Sequence, residues 1–134
     1  MKKYMILLLA LTAGLSACQR ETFDERVKRE LDEFTAKQCP RQLDEYMIEL
    51  SREYKMKGRE LVYTYEVIGE ADNKDLYTDE LRRDAHDNAL KSIRYDLDLK
   101  VLKDSAVTFV HIYKSRKTGK VIFTDRFCKE EYDN

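Results

Sequence analysis

The most reactive side chains in this 134-residue sequence are two histidines and three cysteines. His86 stands between Ala85 and Asp87, in a stretch whose apolar residues recur every four positions. It falls off that stripe, which predicts a solvent-facing imidazole. His111 lies in Ala106–Tyr113 (AVTFVHIY), sharing a strand face with Val107, Phe109 and Tyr113. A lone strand histidine reads as a half-buried structural residue, and nothing fixes a nucleophile beside either imidazole for acyl-transfer chemistry. No His or Cys grouping has zinc spacing. Asp72-Asn73-Lys74-Asp75 offers oxygen ligands but lacks the Gly and the late Glu of a calcium loop, and so reads as a solvated turn. Asp96 and Asp98 alternate with Leu97 and Leu99 at a helix edge. The expectation is a protein with no catalytic residues, no metal and no cofactor. Lys114, Arg116, Lys117 and Lys120 gather at one hairpin tip. With Tyr63, Tyr65, His111 and Tyr113 they make the candidate contact surface.

Cys18 has a different setting. Lys2 and Lys3 precede an uncharged run, Met5–Leu15 (MILLLALTAGL), which ends in Leu15-Ser16-Ala17-Cys18. Eleven apolar residues are too few for a spanning helix, which needs about 20, but suit the core of a secretory signal. The four residues 15–18 resemble the lipobox of bacterial lipoproteins. That resemblance implies a signal peptide over 1–17, cleavage before Cys18, and a diacylglycerol thioether on its sulfur. Two or more acyl chains hold a protein on a membrane without a span. Gln19, where some lineages use Asp to retain a lipoprotein, implies outer-membrane sorting by the same resemblance. The expected organisation is therefore a leader (1–17), a lipidated tether (18–22) and one domain (23–134).

Committing Cys18 to lipid leaves Cys39 and Cys128. In an oxidising exported compartment a pair permits one bridge. A Cys39–Cys128 disulfide would close a loop of about 90 residues, worth roughly 4–5 kcal/mol by loop entropy. With 25 Lys and Arg against 26 Asp and Glu, net charge is −1, and loss of Lys2 and Lys3 makes it −3. There is no basic stripe, which argues against nucleic acid. Four Gly and one Pro in a highly charged chain argue for a regular domain and against a disordered tail.

The elements that position these residues follow from periodicity. Phe23, Val27, Leu31 and Phe34 recur at helical spacing, predicting a helix over 22–38 that stops before Pro40. Residues 43–56 fit either a strand or a helix, and the strand is preferred because the turn Lys57-Gly58-Arg59 follows. Glu60–Ile68 (ELVYTYEVI) is the clearest strand, with Leu61, Tyr63, Tyr65 and Val67 inward. A helix over 77–94 carries Leu81, Ala85, Ala89 and Ile93, with Leu97 in phase beyond its end, and a short helical turn follows near 99–102. Strands over 106–113 and 120–128 close a second hairpin around Ser115–Gly119. The fold class is α+β, order αββαββ: two antiparallel hairpins under two helices in a two-layer sandwich.

Cys39-Pro40, Val62-Tyr63-Thr64-Tyr65, Val107-Thr108-Phe109 with Tyr113, and Lys117-Thr118-Gly119-Lys120 together resemble a group of small exported bacterial proteins of unknown function. The resemblance implies an α+β domain and no catalytic residues. The functional expectation is a membrane-anchored binding or accessory domain of the cell envelope, with an envelope protein or cell-wall polymer as partner. The alternatives are an inhibitor or immunity-type lipoprotein, and an envelope hydrolase using paired carboxylates.

Overall fold

The computed structural model describes residues 20–133. The leader, Cys18 and its lipobox lie outside them.

Helix α1 (Phe23–Gln38) starts where a capping box closes it. The Glu25 N–H donates to Thr22 Oγ1 and the Thr22 N–H to Glu25 Oε2, both at 3.2 Å, which satisfies two donors that a helix start leaves free. Five strands follow in one sheet, in the spatial order β1-β2-β3-β4-β5: β1 (Arg41–Asp44), β2 (Met47–Lys55), β3 (Glu60–Val67), β4 (Thr108–Ser115) and β5 (Val121–Phe127). Between β3 and β4 come helix α2 (Asp79–Tyr95) and a short helical segment, Leu97–Leu99 running into α3 (Lys100–Asp104). A final turn of helix, α4 (Lys129–Tyr132), ends the described chain.

The sequence expectation of two hairpins holds in part. The mixed α+β class stands, but β3 and β4 pair in parallel through α2, so the two hairpins merge into one sheet. The predicted strand over 43–56 is two strands. The carboxylate of Asp44 accepts the N–H of Tyr46 at 2.8 Å, an Asx turn that reverses the chain without Gly or Pro. A bulge between Glu49 and Ser51 then resets the alternation of β2, because an extra residue flips every later side chain to the other face. Glu49, Arg52 and Tyr54 consequently share a face.

The core lies between that face and the helices. Tyr54, Leu61, Phe109 and Phe127 form one row across β2 to β5 by register. Val27 of α1, Ile93 of α2, Val107 and Tyr132 complete the buried cluster. Phe109, Phe127 and Val107 are fully excluded from solvent. Truncating either phenylalanine to Ala costs about 3–5 kcal/mol.

The expected Cys39–Cys128 bridge is not formed: both thiols are free. Cys39 precedes β1 and Cys128 follows β5, the two opposite edges of the sheet. Four strand intervals at about 4.8 Å separate those edges by roughly 19 Å, well beyond the 4.4–6.8 Å between α-carbons that a disulfide spans. Pairing by elimination identified two cysteines but carried no information on which edges they occupy.

Candidate functional site

Beyond the core row, the same sheet face carries two further rows. Arg52, Tyr63, His111 and Asp125 make one; Glu49, Tyr65, Tyr113 and Phe123 make the next. The rings stack along the second row and into the first. Tyr63 and Tyr65 are parallel at 6.2 Å, Tyr65 and Tyr113 lie 5.3 Å apart, and Tyr113 and Phe123 4.3 Å apart. His111 sits edge-on to Tyr63 at 5.0 Å and to Phe127 at 5.2 Å. Burial pushes its pKa down to about 4 despite the nearby Asp125 and Glu49, so it is a neutral imidazole packed among rings. Burial also raises Tyr113 to about 12 and lifts Tyr63 and Tyr65, keeping all three phenols protonated.

These rings floor an open groove. A cleft of about 570 Å³ runs over Tyr63, Tyr65, His111 and Tyr113, with Leu43, Met47 and Arg52 on one side and Ala89, Ser92, Asp96 and Asp98 on the other. An apolar extension of about 230 Å³ shares Met47 and Tyr113 and continues beneath Tyr46, Tyr77, Leu81, Ala85 and Phe123. The groove exists because the apolar stripe of α2 is only half used. Ile93, Ala89 and Leu90 pack on the core, while Leu81 remains 44 % exposed. Leu43 and Tyr46, at 44 % and 41 %, face it from the β1–β2 turn. The phenolic oxygens of Tyr63 and Tyr65 have no hydrogen-bond partner among the described residues, and no buried side-chain polar atom is left unsatisfied there. The two hydroxyls are therefore open to the groove.

One wall is held by a charge cluster that sequence reasoning missed. The Glu49 carboxylate is 1 % exposed and accepts from Arg41 Nε at 3.0 Å and from Arg52 Nε. Burial alone would raise its pKa, but hydrogen bonds from Arg52 and Arg41 overcome this and hold it below the usual carboxylate range. The Arg52 guanidinium lies 3.9 Å from the Phe34 ring centre and 5.3 Å from that of Tyr63. Only the bulge in β2 turns Glu49 and Arg52 to the same side, and no alternating pattern reports it.

The other wall is fixed by His86, which is not solvent-facing as its position on the helix suggested. Its two ring nitrogens contact Asp125 of β5 and, at 2.8 Å, Glu131 of α4. The ring stacks on Phe127 at 4.6 Å. Burial lowers its pKa, yet hydrogen bonds to the two carboxylates outweigh that and raise it overall. With both nitrogens engaged by carboxylates, the imidazole clamps α2 to the sheet. Cys128 Sγ lies 3.4 Å from Glu131 Oε1. Its pKa is raised by hydrogen bonding to Glu130, by burial and by Glu131, the reverse of what a nucleophilic thiolate needs.

The basic residues divide. Tyr63, Tyr65, His111 and Tyr113 are together in the groove. Arg116 pairs with Glu66 at 3.4 Å, and Lys114 shares the other sheet face with Glu66. Lys117 and Lys120 line a separate recess at the end of the sheet. Among the described residues no group of three or more His, Cys, Asp or Glu is placed to hold a metal ion, and no helix is long and apolar enough to cross a membrane.

A five-stranded sheet with helices packed on one face and an open aromatic groove between them defines the class: a mixed α+β domain. Residues 22–123 match the family described as a domain of unknown function (DUF8479), and the chain belongs to that family. No curated protein matches it. Two solved structures share the fold. A Pseudomonas aeruginosa protein described as secreted, PA3611, is 13 % identical, with a TM-score of 0.65 over 85 % of this chain and 99 % of that one. The type II secretion system pilotin AspS from Vibrio cholerae is 11 % identical, with a TM-score of 0.55 over 81 % and 90 %.

Proposed function

We propose that this protein is a lipid-anchored accessory protein of the bacterial cell envelope that holds an apolar segment of a partner protein in the groove. The observation that carries the reading is the uncovered half of the α2 stripe, facing an aromatic floor across from Leu43 and Tyr46. A contiguous apolar surface of this kind, rimmed by polar groups, marks an interaction site. Open Tyr hydroxyls suit it, since tyrosine combines contact area with a polar handle and little entropy to lose. The fold shared with a secreted protein and with a secretion-system pilotin supports an envelope setting and a partner of the secretion or envelope machinery. The lipobox at residues 15–18 supports attachment through Cys18, with outer-membrane sorting read from Gln19.

The test is site-specific photo-cross-linking in the host bacterium. A cross-linker at Leu81, on the groove rim, should give one discrete adduct. The same group at Thr124, on the opposite sheet face, should not. Ala85→Arg, which fills the apolar end of the groove, should abolish the Leu81 adduct while leaving the circular dichroism spectrum intact. Equal adducts from both faces, or an adduct indifferent to Ala85→Arg, would sink the reading.

A further inference from the structure

The recess at the β4–β5 turn is distinct from the groove, and its chemistry is cationic. It holds about 690 Å³ and is lined by Lys74, Arg82, Lys117 and Lys120. None of these four has an ion-pair partner among the described residues. Arg82 reaches only the Ile122 carbonyl at 3.4 Å and the Phe123 ring at 5.5 Å; Lys117 Nζ reaches only the Asp72 carbonyl, at 3.5 Å. Some cations elsewhere on the surface are paired, such as Arg126 with Glu60 and Lys100 with Asp104, while others, such as Lys55 and Lys57, stand singly among the described residues and do not share a recess.

The walls are held in place. Asp72 is 6 % exposed, and its carboxylate accepts the Lys117 N–H at 2.9 Å and the Ser115 hydroxyl. It thereby ties the loop carrying Lys74 to the turn carrying Lys117 and Lys120. Asn73 caps the short helix that presents Lys74, accepting the Asp75 N–H at 3.0 Å. The hydrogen bonds from Ser115 and Lys117 hold the Asp72 carboxyl below its usual range, so it stays ionised, and the recess sets four cations against the two carboxylates of Asp72 and Asp75.

We propose that this recess binds a phosphoryl-bearing anion, in soluble or polymeric form. Converging ammonium groups are ready phosphate contacts, and the Arg82 guanidinium adds a planar donor fork. The location argues against a headgroup of the membrane that the N-terminus attaches to. Asp24, in the first turn of α1, meets Tyr54 and Arg59 at the β2–β3 end of the sheet. The recess lies at the other end, beyond the eight residues of β4, roughly 23 Å away at 3.3 Å per residue.

Tripolyphosphate titrated into the full-length protein in neutral detergent, followed calorimetrically, tests this. Saturable binding is expected, weakened by salt as exposed charge pairs are. Lys117→Ala/Lys120→Ala should weaken it at least tenfold, and Lys55→Ala/Lys57→Ala at the far end should leave it unchanged. No saturable binding, or equal weakening by both pairs, would overturn the site. Affinity should also survive doping of the micelles with phosphatidylglycerol; competition by that lipid would overturn the assignment to a soluble or polymeric phosphate.

Discussion

Glu49→Gln isolates the energetics of the groove wall. The wild-type carboxylate is 1 % exposed and takes hydrogen bonds from two guanidiniums. The amide keeps the shape and removes the charge, leaving Arg41 and Arg52 facing a neutral group. Breaking a fully buried pair in this way costs about 3–5 kcal/mol. Here Arg41 is 40 % exposed and Arg52 26 %, so both recover some hydration. That places the loss near the lower end, about 3 kcal/mol. With a urea m-value of about 1.5 kcal/mol per molar for a domain of this size, the unfolding midpoint should fall by about 2 M. Arg52→Met in the Glu49→Gln background should recover part of this, since the orphaned guanidinium is the costly species; the double-mutant cycle reads the coupling. The pH dependence has a fixed sign. The folded-state pKa of Glu49 is lowered, so its stabilisation is present above the unfolded value of 4.5 and is lost as pH falls through the folded value. The gap between wild type and Glu49→Gln should therefore narrow in acid. A midpoint shift under about 0.5 M at neutral pH, or a gap that widens on acidification, would refute the reasoning.

Three further outcomes are expected. His86 has a raised folded-state pKa, so its clamp on Asp125 and Glu131 is complete below pH 6.5 and lost as pH rises through the folded value; thermal midpoints of wild type and His86→Gln should differ more at pH 5.5 than at pH 9, and the reverse order would contradict the clamp. Maleimide labelling of the exported protein, denatured without reductant, should modify both Cys39 and Cys128, because the strands beside them are opposite sheet edges; a blocked pair within one chain would contradict that topology. Cys18→Ala should leave the precursor unprocessed or release the protein from membranes, checked by mass and fractionation, whereas unchanged mass and retention would end the lipoprotein reading.

Local pattern determined much of this protein. The Phe23–Phe34 stripe made α1, the aromatic run made β3 with Leu61, Tyr63, Tyr65 and Val67 inward, and the period of four made α2. Each is a short-range signal, set by residues within a turn or two of one another. The leader and lipobox are proposed from contiguous residues that lie outside the described ones. What tertiary structure alone decided depends on pairing and register. The Asx turn at Asp44 and the bulge after Glu49 use ordinary residues, so neither interrupts the apolar pattern, yet together they create β1 and turn Glu49 and Arg52 towards the helices. The parallel join of β3 to β4 separated the two cysteines and brought Tyr63 and Tyr65 beside His111 and Tyr113. His86 looked solvent-facing along its own helix. Only the carboxylates of β5 and α4, 39 and 45 residues further on, gave it partners. Helix periodicity records which side chains share a face, but a groove forms where one of those faces is left uncovered, and that is a property of how the elements pack.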